Sequence, residues 1–173
     1  MTTTPQETGL PHIEALTRHL VDLRDGRHGP GGDTVSRRGK EEHFARTVEL
    51  LHPWAVRVLD EFDTTLLLGT GEVEASGVQR APDTGLGAVW TLSWPEQRAA
   101  RISPVTLLAH YGRGFHHPHL RGATVHDWPL NVFTPEQAAA EVPVLRAIAT
   151  ADLHNLVFQR DYRIVPAIAQ ERT

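Results

Sequence analysis

Two stretches, Val89-Trp90-Thr91-Leu92-Ser93-Trp94 (89–94) and Val105-Thr106-Leu107-Leu108-Ala109-His110-Tyr111 (105–111), set the architecture. In the first, Trp90, Leu92 and Trp94 recur at every second position and Val89, Thr91 and Ser93 fall between them. A period of two places alternate side chains on opposite faces of a pleated strand. The second stretch repeats the pattern, with Val105, Leu107, Ala109 and Tyr111 opposed to Thr106, Leu108 and His110. Two neighbouring strands of this kind predict a sheet with one buried face.

Upstream, Leu66-Leu67-Leu68 leads into Glu72-Val73-Glu74-Ala75-Ser76, and the turn-rich Ala81-Pro82-Asp83-Thr84-Gly85-Leu86-Gly87 joins this to the Trp90 strand as a hairpin. Downstream, strands are predicted near Phe115–Leu120 and from Val125 to Phe133, and Tyr162-Arg163-Ile164-Val165 reads as a closing strand. Helices flank this centre. Ile13, Leu16, Leu20 and Leu23 lie at helical spacing after Pro11, and Phe44, Val48, Leu51, Ala55, Val58 and Phe62 form a longer stripe that Pro53 should kink or divide. Thr134 as cap, Pro135 at the first helical position and Gln137 three residues after the cap open the last helical region; Pro143 restarts it. Leu145, Ile148, Ala149, Leu153 and Leu156 give it an apolar stripe. The fold class is therefore α+β: an antiparallel sheet of five to six strands within residues 64–133, plus a C-terminal strand, flanked by N-terminal helices and a C-terminal helix. Residues 1–173 read as one domain, with 1–10 a flexible tail and the glycine-rich 26–33 a linker.

Composition narrows the chemistry. With 173 residues, 40% of them hydrophobic and 22% charged, the chain can bury a core without covalent staples. It has no cysteine, which excludes thiolate metal sites and a thiol nucleophile. A net charge of -4 without a long basic stripe argues against nucleic acid as partner. No apolar run approaches a membrane span and the first residues lack a signal-peptide pattern, so no membrane partner and a cytoplasmic location are expected. Oligomeric state is left open. The basic residues Arg24, Arg27, Arg37, Arg38 and Lys40, followed by Glu41 and Glu42, read as a solvated face.

Eleven histidines stand against that background, and five of them, His110, His116, His117, His119 and His126, fall within seventeen residues. His117 and His119 would share one face of a regular strand and could meet a single divalent metal, zinc or iron, with His110 from the preceding strand as third ligand if the chain reverses around Gly112-Arg113-Gly114. His126 is a further candidate ligand. Asp127 could complete a two-histidine, one-carboxylate set, and His154 could close a pocket from the helical side as ligand or acid/base. Tyr111, Trp128 and Phe115 could wall an apolar pocket, and Arg113 and Arg121 could hold a carboxylate or phosphate of the substrate.

The Gly114-led His117-Pro118-His119 partly resembles the cupin barrels, whose following glutamate would fall on Ala123 or Thr124 here. The same triplet resembles the histidine-triad nucleotide hydrolases, where His119 would be the nucleophile, although Arg121 stands where a third alternating histidine belongs. Neither likeness extends beyond a dozen residues. The function expected is a metal-dependent enzyme acting on a small organic substrate. A metal-free enzyme using His119 or His154 on a phosphate ester is the alternative, and a ligand-binding or pH-responsive module, haem binding included, is a third reading.

Overall fold

A computed structural model describes residues 11–25 and 36–170. The tail at 1–10 and the linker at 26–33 lie outside the described residues. The elements run α1 (Pro11–Arg24), α2 (Arg37–Phe62), a π-turn (Asp63–Leu67), β1 (Glu72–Ala75), β2 (Gln79–Arg80), β3 (Leu86–Ser93), α3 (Pro95–Ala100), β4 (Val105–Tyr111), β5 (His119–Arg121), β6 (Trp128–Pro129), α4 (Pro135–Ala140), α5 (Val142–Gln159), a 3-10 turn (Tyr162–Ile164) and α6 (Pro166–Ala169). The expected α+β class holds.

The sheet is antiparallel throughout, in the order β1-β3-β4-β5-β6, with β2 pairing the start of β3. Burial alternates strictly along β3 and β4. Leu86, Ala88, Trp90 and Leu92 of β3, with Val105, Leu107, Ala109 and Tyr111 of β4, form the inner face, and α2 and α5 pack over it. Phe44, Leu51, Ala55 and Val58 from α2 and Leu145, Ile148 and Leu156 from α5 complete the core. Both indoles find acceptors: Trp94 Nε1 donates to the Ile164 carbonyl at 2.6 Å and Trp90 Nε1 to His52 Nδ1 at 3.1 Å. His52 thus has a structural role.

Two departures from the sequence reading have identifiable causes. Pro53 neither ends nor divides α2, which is one 26-residue helix. It sits on the exposed side of α2, as does Glu49, the residue whose carbonyl loses its amide partner to proline. Tyr162-Arg163-Ile164-Val165 does not form a strand. The Asp161 carboxylate accepts the Arg163 N–H at 2.8 Å and closes a 3-10 turn, an alternative that short polar side chains offer the backbone in place of a ladder. The strands expected at 115–120 and 125–133 shrink to three and two residues. In α1 the spacing is helical, but Ile13, Leu16, Leu20 and Leu23 face outward, each about half exposed, while His19 turns in against His117 with ring centres 4.7 Å apart.

Arg37, which the sequence reading left on a solvated face, joins α2 to the end of β4. Its guanidinium donates to the carbonyls of Tyr111 (3.2 Å), Gly112 (3.1 Å) and Arg113 (3.3 Å), lies 3.8 Å from the Tyr111 ring centre and pairs with Glu41. An Arg37→Met variant keeps the aliphatic stem and loses these bonds. Because the side chain is about one third exposed, the expected cost is about 1–2 kcal/mol, a fall of roughly 2–8 °C in Tm for a chain of this size. An unchanged melt would show that the turn after β4 holds itself.

Candidate functional site

The chain leaves β4 at Tyr111, reverses through a turn closed by the Phe115 N–H to Gly112 carbonyl bond (3.1 Å), and returns as β5. The reversal expected around Gly112-Arg113-Gly114 is therefore present. Its register places His110 directly opposite His119. Both belong to the outer face of the sheet, where facing side chains stand about 5 Å apart at Cβ. Phe115 lies against both imidazoles, with ring centres 6.4 Å from His110 and 5.2 Å from His119 in edge-on geometry. Gly112 permits this packing, since a Cβ there would collide with the Phe115 ring.

Behind His110 stands Asp83, from the loop before β3. Its Oδ2 lies 3.4 Å from His110 Nε2, while Oδ1 accepts the Gly85 N–H at 2.8 Å. That backbone bond, with the Arg113 N–H and His110 adding to it against partial desolvation, holds the Asp83 carboxyl below the ordinary carboxylate range. Asp83 therefore remains an anion beside His110 at neutral pH. The sequence reading placed Asp83 in a turn only; the signal for more was Asp83-Thr84-Gly85, the pattern of a carboxylate that caps its own turn two residues on.

One row further along the outer face, Arg121 lies opposite Leu108 and pairs with Asp127 through Nε at 3.0 Å. Asp127 is thus engaged by a guanidinium. His117 and His119 have different neighbours. His117 precedes β5 in a bend, outside the region where alternation applies, and joins His43, His116 and Lys40 around a cleft against α2. His126 is exposed in the loop before β6. His154 is exposed on α5, its ring 4.7 Å from that of Phe158. Tyr111 is 2% exposed and belongs to the core, where burial raises its hydroxyl above the usual tyrosine range against the opposing effect of Arg37. Trp128 packs against the core from its edge, and Arg113 donates to Thr84 Oγ1 at 3.3 Å. Among the described residues, no group of three or more histidine, aspartate or glutamate side chains is arranged to hold a metal ion.

Fold and site together define an α+β protein whose antiparallel sheet lies under helices on one face and carries a facing histidine pair, backed by a carboxylate, on the other. No protein-family model, curated protein or solved structure matches the chain. No described helix is long and apolar enough to cross a membrane.

Proposed function

We propose that the protein is a cytoplasmic enzyme acting on a small organic molecule by proton transfer through the His110–His119 pair. The observation that carries this reading is the direct cross-strand register of the two histidines, with Asp83 3.4 Å behind His110. An anion at Nε2 of His110 favours a proton on that nitrogen and leaves Nδ1 as the nitrogen that exchanges one, the way a carboxylate orients an imidazole in general acid–base catalysis. His119, opposite, supplies a second group able to act in the reverse sense. Phe115 gives the pair an apolar wall, and the Arg121–Asp127 pair borders it on the other side.

The same facing imidazoles also support the divalent-metal reading, because two side chains at that separation can reach one zinc or iron ion. Such an ion would take its remaining ligands from water and substrate, with the Asp83 carboxylate 3.4 Å behind His110.

Hydrolysis of 4-nitrophenyl acetate and 4-nitrophenyl phosphate, measured with and without EDTA, tests both readings. Proton-transfer catalysis predicts turnover that persists in chelator and falls about 10²-fold or more in His110→Gln and in His119→Gln. Loss in EDTA with recovery on adding Zn²⁺ or Fe²⁺ would transfer the site to the metal reading. Turnover that survives both substitutions would remove the pair from the mechanism.

A further inference from the structure

We infer that the outer face of the sheet above Gly87, beside His110, is a binding site for a flat, uncharged organic group; that this group belongs to the substrate rests on the acid–base reading of the His110–His119 pair. The register that sets His119 against His110 continues across the sheet, with Gly87 directly opposite His110 and Gln79 directly opposite Gly87. One row of the outer face therefore reads Gln79, Gly87, His110, His119. Gly87 is the one glycine in the described strands. Glycine weakens a strand interior, and it often marks a place where a ligand or another backbone comes close. The other reasons for glycine do not apply at this position. At Gly85, Gly112 and Gly122 a Cβ would crowd its neighbours, and Gly69 and Gly77 have φ angles of 74° and 65°. A Cβ on Gly87 would meet, among the described residues, only the Ala109 carbonyl oxygen at 3.7 Å and Leu108 Cδ1 at 3.8 Å, both ordinary contacts. His110 does not fill the space. Its ring leans the other way, with Cε1 3.1 Å from where a Cβ on Gly112 would lie and Nε2 towards Asp83.

The walls decide what enters. Strands lie about 4.8 Å apart, so the missing side chain between Gln79 and His110 leaves a slot about two spacings wide at the backbone. Those two side chains narrow it to a width that suits a planar group. Val89 and Leu108, paired with each other one row along and both half-buried, give it an apolar floor. Beyond Val89 the same face opens into a depression of about 500 Å³ bordered by Glu74, Ser76 and Thr91, room for the rest of a small molecule. Charge disfavours an anion, because Asp83 stands beside His110 at one end and Glu74 borders the depression at the other. Gln79 is exposed, and its Nε2 reaches the Ser76 carbonyl at 3.4 Å, a long bond that a ligand carbonyl can replace.

Binding can be read apart from turnover. 4-Nitroacetophenone offers a ring and a neutral carbonyl with no bond to hydrolyse, and 4-nitrobenzoate offers the same ring with a negative charge. Titrating the ketone into isotope-labelled full-length protein should give saturable shifts of the Gly87, Leu108 and His110 amides in the millimolar range. The benzoate should bind at least threefold more weakly. Gly87→Val fills the slot and should weaken ketone binding at least tenfold while Tm stays level or rises, since a β-branched residue suits a strand better than glycine. Gly87→Ala, whose Cβ has room, should weaken it at least twofold, again without loss of Tm, and decides the matter if the valine variant folds poorly. Equal affinity for the benzoate would overturn the assignment of an uncharged group. Shifts that stay linear, or ketone binding unchanged in both variants, would overturn the site. Saturable binding that depends on Gly87, with no turnover of 4-nitrophenyl acetate, would support the site and overturn the acid–base reading of the pair instead.

Discussion

Replacing Asp152 by alanine is expected to cost about 3 kcal/mol of stability and to lower Tm by roughly 6–12 °C. Asp152 lies on the inner face of α5 and is fully buried. Its Oδ2 accepts the Thr106 N–H at 3.0 Å, and its Oδ1 accepts the Thr124 N–H at 2.7 Å and the Thr124 hydroxyl at 2.6 Å. These bonds occupy the edge of β4 where β5 has stopped, so the carboxylate replaces ladder partners the sheet lacks. Asn155 supports the arrangement by donating to Thr124 Oγ1 at 3.0 Å. Gly122 lets the loop come this close, because a Cβ there would meet Asp152 Oδ1 at 3.0 Å. Alanine strands the Thr106 and Thr124 amides together, each at about 1–3 kcal/mol. Asparagine keeps one acceptor oxygen but turns an NH₂ toward a donor, so Asp152→Asn should lose roughly half as much. Urea unfolding of the three proteins measures these differences. Hydrogen exchange adds a local readout, since the Thr106 and Thr124 amides should exchange faster in the variants. A cost below about 1 kcal/mol for alanine, with exchange unchanged, would mean that the loop after β5 does not depend on this carboxylate.

Asp152 also shows what was legible in the sequence and what was not. Strands β3 and β4 stood out because the period of two read over Val89–Trp94 and Val105–Tyr111 does not fit a helix, and the long stripe of α2 kept its phase through Pro53. The strands β5 and β6 are too short to show any period. Their positions follow from the pairing of β5 with β4 and of β6 with β5, and from the clamp on Asp152, none of which a local period reveals. A signal existed nonetheless: Asp152 falls four residues after Ile148 and four before Leu156, an acid in the centre of an apolar stripe. Such a residue must find donors or leave a charge unpaired in the core. The histidines divide in the same way. His110 opposite His119 followed from a visible turn, whereas placing His117 beside His119 required a regular strand that begins only at His119. The outward stripe of α1 has the opposite origin, since spacing identifies an amphipathic helix but not what covers it.

Glu141→Gln should raise stability by about 2 kcal/mol at pH 8 and change it little at pH 4. Glu141 ends α4 and opens α5, with its carbonyl accepting the Leu145 N–H at 2.9 Å, and its side chain makes no capping bond. Burial raises its carboxyl from 4.5 to about 7. Below pH 4.5 the group is protonated in both folded and unfolded chains and contributes nothing. Between 4.5 and 7 the unfolded chain releases the proton while the folded chain holds it, so stability falls as pH rises; above 7 both are ionised and the full penalty stands. A displacement of this size corresponds to about 3 kcal/mol. The N-terminal dipole of α5 favours the anion by about 0.3–1 kcal/mol and offsets part of the penalty. Glutamine carries no charge to desolvate, so the variant escapes what remains. The carboxyls of Glu41, Glu61 and Asp161, held low by arginines, act in the other direction and only as pH falls through the acid range. They and the histidines are common to both proteins, so the difference between the two urea curves isolates Glu141. That difference should grow between pH 4.5 and 7 and then level. A gap of equal size at pH 4 and pH 8 would show that the gain comes from packing at the α4–α5 junction rather than from a buried charge.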